Sequence, residues 1–589
     1  MQFKRNQKIL LGRVSLTVCT LILGASVAFA GSRKISPDLE GINVSGQVDV
    51  IVQFSQAPSE DYHQKVFRRG GTLKRSFERF KGGAYTMPAS ALEDLAADPD
   101  VVYISPDRPL RGASSSTTAS AITTVNDYHP AAIDAPGVWS EGWNGSGIGV
   151  AVIDSGITSN LDLNLLKIAY NQDFTGASLG SASDQYGHGT HVTGILAGNG
   201  FSSTGLLNYY TFRGVAENVN LINLRVLDQN GAGTDSEVIA AIDEAVTLKS
   251  KYNIRVINLS LGRPVWESYK QDPLCQAVEQ AWKAGIVVVV AAGNYGRDDN
   301  AGTNGYGTIT APGNDPYVIT VGAMNTLGSL ARTSAVPASY SSKGPTLFDQ
   351  VIKPDLVAPG NRIISIYNAG ETLSKNYPGN EIPTSMYQNL SLNLPSTSYF
   401  ILSGTSMAAP MVSGAAALLL QQNSSLTPDQ VKARLMKSAF KNLVQYSTAK
   451  DPTTGITYNE QADIFTVGAG YLDIGAAMTS TALAPATTGS AMSPTAEVSG
   501  GEIVLVPTGS SVLGGSSVLW GSSVLWGSSV LWGSNVSGES VLWGSGTLEG
   551  ESVLWGSSST AADSVLWGSS VLWGSTELDP ELIIYGDSN

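Results

Sequence analysis

The strongest constraint on the fold is an alternation of short apolar segments with helical segments across residues 130–478. Helical patterns cover residues 236–250 and 274–284, between apolar segments rich in β-branched residues. Short apolar strands that alternate with helices predict a parallel sheet covered by helices on both faces, an α/β fold. The apolar segments are residues 149–153, 219–226, 256–259, 286–292 and 317–322.

The segments before this region have different patterns. In residues 1–30, basic residues precede an apolar run that closes with Ala-Phe-Ala, which predicts a secretory signal peptide cleaved after Ala30. An uncleaved membrane anchor is the alternative. Residues 31–106 read as strand–helix–strand–helix–strand and predict a small α+β domain. Residues 107–129 contain a run of Gly, Ala, Ser and Thr and predict an exposed linker.

Composition excludes several classes of protein. The formal net charge of −14 argues against a nucleic-acid-binding protein, whose binding face is usually basic. The chain has two cysteines, and Cys19 lies in the predicted signal peptide, so that only Cys275 would remain after cleavage. A disulfide framework is therefore excluded.

The last part of the chain repeats the hexapeptide Ser-Ser-Val-Leu-Trp-Gly. We expect a linker over residues 479–510 and a repeat tail over residues 511–589, which contains seven of the 11 tryptophans. A regular repeat predicts an architecture of its own. Three interpretations stay open: a stacked β-structure, a flexible tail used for surface attachment, self-association or as an export mark, and a polysaccharide-binding segment.

Three short motifs contain residues suited to catalysis. Asp154 follows an apolar strand, at the edge where open α/β sheets place their sites, although a turn or helix-cap role would also explain it. His188 lies in Gly-His-Gly-Thr-His-Val, which begins at Gly187, and it suits a general base, with metal binding by His188 and His191 as the alternative. Ser406 starts an Ala-rich helix, where the helix dipole favours developing negative charge, although a helix cap is the simpler interpretation.

The order of these motifs removes the simpler interpretations. Asp154, His188 and Ser406 follow the order Asp, His, Ser that subtilisin uses. The sequence words Asp-Ser-Gly, His-Gly-Thr-His and Gly-Thr-Ser-Met-Ala-Ala-Pro resemble those of the subtilisin-like (S8) serine peptidases. So do Asn-Leu-Ser-Leu-Gly, Ala-Ala-Gly-Asn and Lys-Pro-Asp-Leu-Val-Ala-Pro-Gly.

The resemblance implies a role for each residue. Ser406 would attack the peptide carbonyl, His188 would move the proton, and Asp154 would orient and stabilise His188. Asn294 would donate its amide to the oxyanion together with the backbone N–H of Ser406. His191 would be structural. The resemblance thus implies a serine endopeptidase that acts on proteins or peptides without a catalytic cofactor.

The resemblance also implies a binding site for the substrate backbone. Ser260, Leu261 and Gly262 would form an edge strand that pairs with an extended peptide. Gly293 would line the same cleft, and Thr310 would form the floor of the pocket for the residue before the cut. Asp162 is a candidate calcium ligand, but no set of six or more oxygen ligands can be assembled around it from the sequence.

Residues 31–106 resemble the inhibitor-type (I9) propeptide of these enzymes. Such a propeptide would help the catalytic domain, residues 130–478, to fold and would then inhibit it within the same chain. Self-cleavage is expected between Ser105 and Val125, and a permanent N-terminal domain is the alternative. The resulting hypothesis is a secreted enzyme, retained at the cell surface if the repeats attach it. The competing hypothesis is a catalytically inactive surface or adhesion repeat protein on a peptidase fold.

Overall fold

The computed structural model describes residues 34–39, 45–112, 129–176, 182–300, 302–389, 394–481, 484–499, 502–509, 511, 540–543, 552–555, 564–567 and 587. The chain divides into two compact units, Met1–Asp107 and Arg108–Asn589. The predicted signal peptide, residues 1–30, lies outside the described residues. Within the described residues, no helix combines the length and the apolar character needed to cross a bilayer.

The first unit contains a four-stranded antiparallel sheet in the order β2-β3-β1-β4. Its apolar side chains, among them Val52, Tyr85 and Leu95, form a core of their own. The structure adds a strand, Thr72–Phe77, which the sequence reading omitted because its residues are mostly exposed and include Lys74 and Arg75. The elements are β1 Gln47–Phe54, α1 Glu60–Phe67, β2 Thr72–Phe77, β3 Gly82–Pro88, α2 Leu92–Ala96 and β4 Val101–Pro106.

The second unit contains the predicted α/β sheet, and we call its residues 108–478 the catalytic unit. Its first strands are β5 Pro109–Arg111, β6 Gly149–Asp154, β7 Ile168–Asp173, β8 Asn220–Arg225, β9 Ala232–Thr234, β10 Ile254–Leu259, β11 Val287–Ala291, β12 Ile319–Asn325, β13 Val336–Pro337 and β14 Leu356–Pro359. The later strands are β15 Ile363–Ile366, β16 Glu381–Pro383, β17 Pro395–Leu402, β18 Tyr446–Lys450, β19 Thr457–Gln461, β20 Thr495–Ser499 and β21 Glu502–Val506.

The central sheet has the order β13-β12-β11-β10-β6-β8-β7, with β14 also paired to β12. Only the pair β12–β13 is antiparallel. Every residue of β6 and β11 is buried, as expected for parallel strands covered on both faces. The strand order reverses beside β6, so the carboxyl end of β6 is a natural place for a site.

Helices cover the sheet, and the most deeply buried of them follows β17. In this helix, α9, every residue from Thr405 to Leu420 is buried, because its Ala-rich and Leu-rich sequence is apolar all round. The helices are α3 His129–Ala132, α4 Ala135–Ser140, α5 His188–Ala197, α6 Asp235–Tyr252, α7 Pro273–Lys283, α8 Thr372–Asn376, α9 Thr405–Gln422, α10 Pro428–Ser438, α11 Ile464–Val467 and α12 Ile474–Thr479.

Two segments that were expected to be linkers contain structure. Within residues 107–129, β5 pairs antiparallel with β9, while residues 113–128 lie outside the described residues. Within residues 479–510, β20 and β21 form a hairpin, and Ala491 and Ala496 pack into a cluster with Ile352 and Met436. The apolar residues of this second segment are too few for a core of their own, so they are buried against the catalytic unit.

Three of the repeats form short strands: β22 Ser540–Trp543, β23 Ser552–Trp555 and β24 Ser564–Trp567. The strands pair in parallel and in register, so that identical residues lie opposite one another. This backbone arrangement favours the stacked β-structure among the three interpretations of the repeats, and that reading stays a proposal.

Candidate active site

Asp154 and His188 form a buried pair at the carboxyl end of β6. Asp154 is the last residue of β6, and its Oδ1 lies 2.8 Å from His188 Nδ1. Asp154 Oδ1 also accepts a hydrogen bond of 2.7 Å from the backbone N–H of Ser155. Burial lowers the pKa of His188, but the charge and hydrogen bond of Asp154 outweigh it and leave this pKa above its usual value. Within the described part of the chain, His188 Nε2 has no hydrogen-bond partner, so the ring can accept a proton there.

The helix that carries His188 is fixed at its first turn by a residue that the sequence analysis did not identify. The carboxylate of Asp184 accepts hydrogen bonds from the backbone N–H groups of Tyr186, Gly187 and Thr190. An acidic side chain just before a helix accepts hydrogen bonds from the free N–H groups of the first turn and interacts favourably with the helix dipole. The position of Asp184 shortly before His188 is the sequence signal that could have identified it. A Cβ on Gly189 would lie 2.3 Å from Gly156 O, so only glycine permits the close approach of α5 to β6.

Ser406 lies in the first turn of α9, in contact with the segment that follows β10. Its Oγ donates a hydrogen bond of 3.1 Å to Ser260 O, and Ser260 Oγ donates one of 2.9 Å to Ser406 O. Pro410 has no N–H to donate to the carbonyl of Ser406, four residues earlier, which leaves that carbonyl available for Ser260. Ser406 is therefore held against the predicted substrate-binding edge.

Asn294 lies beside Ser406 with its amide oriented by Thr405. Its Oδ1 accepts hydrogen bonds from Thr405 N at 2.9 Å and from Thr405 Oγ1 at 3.0 Å. These two contacts fix which end of the amide is the acceptor, and they leave Nδ2 as the donor. A Cβ on Gly404, whose φ is +151°, would lie 3.3 Å from Nδ2. Glycine therefore keeps the space in front of that donor open.

The predicted substrate-binding residues lie together along one edge of this site. Arg111 of β5 pairs antiparallel with Gly262, and Ser260 and Leu261 are buried beside it. Thr310 is buried, and a Cβ on Gly262 or on Gly293 would lie 2.7 or 2.9 Å from its Oγ1. Thr310 thus lies between the two glycines, and its role as the pocket floor stays a prediction.

Two other candidate residues, Asp162 and His191, are hydrogen-bonded within the fold. Asp162 is buried, and its carboxylate accepts hydrogen bonds from Ser202 N and from the hydroxyl of Tyr399. Hydrogen-bond donors point at both oxygens, so this environment does not fit a calcium ion. His191 Nε2 lies 3.1 Å from Phe400 O, and burial lowers its pKa to about 3, which keeps the ring neutral. Among the described residues, no group of three or more His, Cys, Asp or Glu side chains could hold a metal ion.

Comparisons with known proteins identify the family of the chain. Residues 145–470 match the subtilase family, peptidase S8. The chain is 33% identical to subtilisin E of Bacillus subtilis over 394 residues, which is 66% of this chain and 84% of that protein. The chain belongs to the subtilase family. This membership confirms the predicted family and, with it, the class of serine-type endopeptidase.

Two further relatives extend the comparison. Serine protease AprX of Bacillus subtilis is 37% identical over 306 residues, and the match spans 50% of this chain and 62% of that protein. The crystal structure of fervidolysin from Fervidobacterium pennivorans, a keratinolytic enzyme related to subtilisin, matches with a TM-score of 0.52 and 21% identity. That match covers 74% of this chain and 61% of that structure, and it confirms the α/β fold.

Proposed function

We propose that this subtilase is a secreted endopeptidase in which Ser406, His188 and Asp154 act as the catalytic triad. The observation that carries the proposal is the buried Asp154–His188 pair, in which His188 Nε2 has no partner among the described residues. In the same unit, Asn294 holds Thr405, the neighbour of Ser406. Ser406 Oγ is the nucleophile, and its rotation from Ser260 O toward His188 starts the reaction. Hydrogen bonds of this kind are often incomplete without substrate.

Each residue has a defined step in this mechanism. His188 Nε2 takes the proton of Ser406 Oγ as that oxygen attacks the peptide carbonyl, and later gives it to the leaving amine. Asp154 keeps the second ring nitrogen protonated and stabilises the imidazolium. Asn294 Nδ2 and the Ser406 N–H donate to the carbonyl oxygen as it becomes negative. No step requires a cofactor.

We further propose that the chain is made as a zymogen that cuts itself after Ala113. Arg111 pairs with Gly262 in antiparallel register, so residue 113 would come opposite Ser260, which contacts Ser406. The position of Gly112 supports this register: its N–H donates to Gly231 O, and a Cβ on it would lie 3.7 Å from His188 Nδ1. Ala113 lies outside the described residues, so the cut itself is inferred from the register alone.

The residues before this cut support a role as an intramolecular inhibitor. Arg108 and Glu267 form a buried ion pair with Nη1 and Oε1 2.7 Å apart, and Leu110 is buried. The backbone of β5 pairs with β9 on one side and with Gly262 on the other. A segment held in this way occupies the edge where an extended protein substrate would bind.

The experiment that tests both proposals compares Ser406→Ala with the parent chain and with Ser424→Ala, which changes an exposed serine. The parent and Ser424→Ala should yield a mature protein that begins at Ser114, whereas Ser406→Ala should stay uncut. N-terminal sequencing and intact mass would measure this. Normal processing of Ser406→Ala would contradict self-cleavage. Casein turnover that a serine-directed acylating inhibitor does not abolish would contradict the triad, and no turnover by the mature protein would favour the inactive repeat protein.

Secretion is the least direct part of the proposal. Its support is the signal-peptide pattern of residues 1–30 and the similarity to an extracellular serine proteinase of a Thermus strain, 32% identical over 381 residues. A fusion of residues 1–30 to a reporter enzyme should be exported with its first 30 residues removed. Retention of the reporter with an intact leader would contradict the assignment.

A further inference from the structure

Asp587, which follows the repeats, is buried against the catalytic unit with both its side chain and its backbone bound. Its carboxylate accepts hydrogen bonds from Arg297 Nη2 at 2.9 Å, from Ser339 N at 2.8 Å and from Ser339 Oγ at 2.5 Å. Its backbone N–H donates to Asn361 Oδ1 at 2.7 Å, and its backbone O accepts from Asn361 Nδ2 at 3.1 Å. We call Arg297, Ser339 and Asn361 the Asp587 site.

The Asp587 site is built around a fixed arginine. The guanidinium of Arg297 lies over the rings of Tyr340 and Tyr458, 5.7 and 5.6 Å from their centroids, and its Nη1 is 3.4 Å from Asp451. Arg297 Nε also donates to Ser339 Oγ at 2.8 Å. Stacking and hydrogen bonding orient the planar donor, which suits it to bind a carboxylate. Without Asp587, the buried Ser339 N–H would lose this acceptor, which is costly in a buried place.

The same site is continuous with the chain segments that hold the catalytic residues. Next to Ser339, Tyr340 O accepts from Gly296 N, and Ser342 N donates to Gly293 O, on either side of Asn294. Next to Asn361, Gly360 O accepts from Gly404 N at 2.9 Å and from the hydroxyl of Tyr340 at 2.9 Å. Gly404 precedes Thr405 and Ser406 in the chain. Asp587 therefore joins the segment around Asn294 to the segment before Ser406.

We propose that the catalytic unit binds Asp587 as a ligand within the same chain, and that Asp587 is a positioning residue for Asn294 and Ser406. The repeats lie between Ser511 and Asp587 in the sequence, and both of these residues are bound to other parts of the chain, since Ser511 Oγ donates to Met492 O at 2.6 Å. The positioning part rests on the roles proposed for Asn294 and Ser406. Binding of Asp587 is measured by the thermal midpoint, and its positioning role is measured by kcat.

The test uses the full processed chain with Asp587→Ala, and with Asp563→Ala as a control that removes one carboxylate from the repeat tail. We expect Asp587→Ala to lower kcat about 3- to 10-fold with KM nearly unchanged, because misplaced catalytic groups lose reactivity more than substrate binding. The thermal midpoint should fall by about 3 °C. A synthetic peptide of residues 583–589, added in trans, should restore both values, and the same peptide with Ala in place of Asp should not.

The outcomes separate the possible failures. Equal kcat and midpoint for Asp587→Ala and Asp563→Ala would overturn the proposal, and so would rescue by the peptide that lacks Asp. A lowered midpoint with parental kcat would overturn the positioning role. If Asp587→Ala does not fold, Asp587→Asn replaces it in the same experiment. The peptide with Asp should then restore kcat and the thermal midpoint, and the peptide with Ala should not. If the proposed function itself fails, the parent chain will be inactive as well, which distinguishes the two failures.

Discussion

The two halves of the proposed active site are built from different kinds of groups. The half around His188 contains buried acidic side chains: Asp154 at the histidine, Asp184 at the start of α5, and Glu371 next to Gly187. The half around Ser406 contains neutral donors and acceptors: Asn294, Thr405 and Ser260. We call these the acidic half and the neutral half.

The difference follows from what each half must do. In the proposed mechanism, a positive charge forms on His188, and the negative charges of Asp154 and Asp184 stabilise it. A negative charge forms on the substrate oxygen, and neutral donors stabilise it without repulsion from a carboxylate. The acidic half should therefore make activity and stability depend on pH, whereas the neutral half should act through geometry at any pH. Four substitutions can break or sharpen this comparison.

The largest effect is expected for Asp154→Asn in the acidic half. Asparagine cannot hold His188 in the required tautomer or stabilise its charge, so kcat should fall by about 10⁴. Since Asp154 raises the pKa of His188, its loss should also move the acidic limb of the kcat/KM profile to lower pH. Both are measured from pH–rate profiles on a peptide anilide. An unchanged acidic limb would contradict the assignment of His188 as the base.

The next effect is expected for Asn294→Ala in the neutral half. Removing the donor Nδ2 should lower kcat by about 10²–10³, the range known for the corresponding donor of subtilisin, with little change in KM. The acidic limb of the pH profile should stay where it is in the parent enzyme. Asn294→Asp keeps the acceptor for Thr405 but replaces the donor with a charged acceptor, and should be at least as damaging. Movement of the acidic limb in Asn294→Ala would break the comparison.

The sequence alone predicted the strand and helices that carry Asp154, His188 and Ser406, because short motifs there have a local physical meaning. An apolar strand that ends at Asp154 and a helix that begins near His188 can be recognised without knowledge of distant contacts. The helix at Ser406 was also predicted, but the contact of Ser406 with Ser260 depends on residues far apart in the chain and becomes visible only in the structure.

Other parts of the fold were missed for similar reasons. Asp184 has a local signal, but many acidic residues precede helices without serving a site. β5 and the hairpin β20–β21 are stabilised by pairing or packing against distant segments, so composition alone suggested linkers. Asp587 makes all its described hydrogen bonds with residues more than 200 positions away, which no reading of its own neighbourhood could predict.

A smaller effect is expected for Thr310→Gly, in the pocket beside the neutral half. Removing the side chain between Gly262 and Gly293 should deepen the pocket. The preference in kcat/KM for a substrate with Phe before the cut over one with Ala should therefore rise by about tenfold. The pH profile should not change. Thr326→Gly, on the turn after β12, is the matched control. A specificity change of the same size in both variants would contradict the assignment of Thr310 as the pocket floor.

We expect Glu371→Gln to have the smallest effect on rate. This variant tests the acidic half through the pH dependence of stability. Burial first, and then the negative charge of Asp184, raise the pKa of Glu371 to about 8. The folded protein therefore holds a proton on Glu371 that the unfolded chain releases near pH 4.5, so stability falls as pH rises from about 4.5 to about 8. Glutamine removes this penalty. The variant should be more stable than the parent by about 1–3 kcal/mol at pH 9 and equal to it at pH 4.5.

Denaturant unfolding of the inhibitor-treated enzymes at both pH values measures this difference. Glu141→Gln, which changes an exposed glutamate, should show no pH-dependent gain. A Glu371→Gln variant that gains nothing at pH 9 would mean that neither burial nor the charge of Asp184 raises the pKa of Glu371. The pH dependence would then belong to the Asp154–His188 pair alone, and the contrast between the two halves would be confined to that single contact.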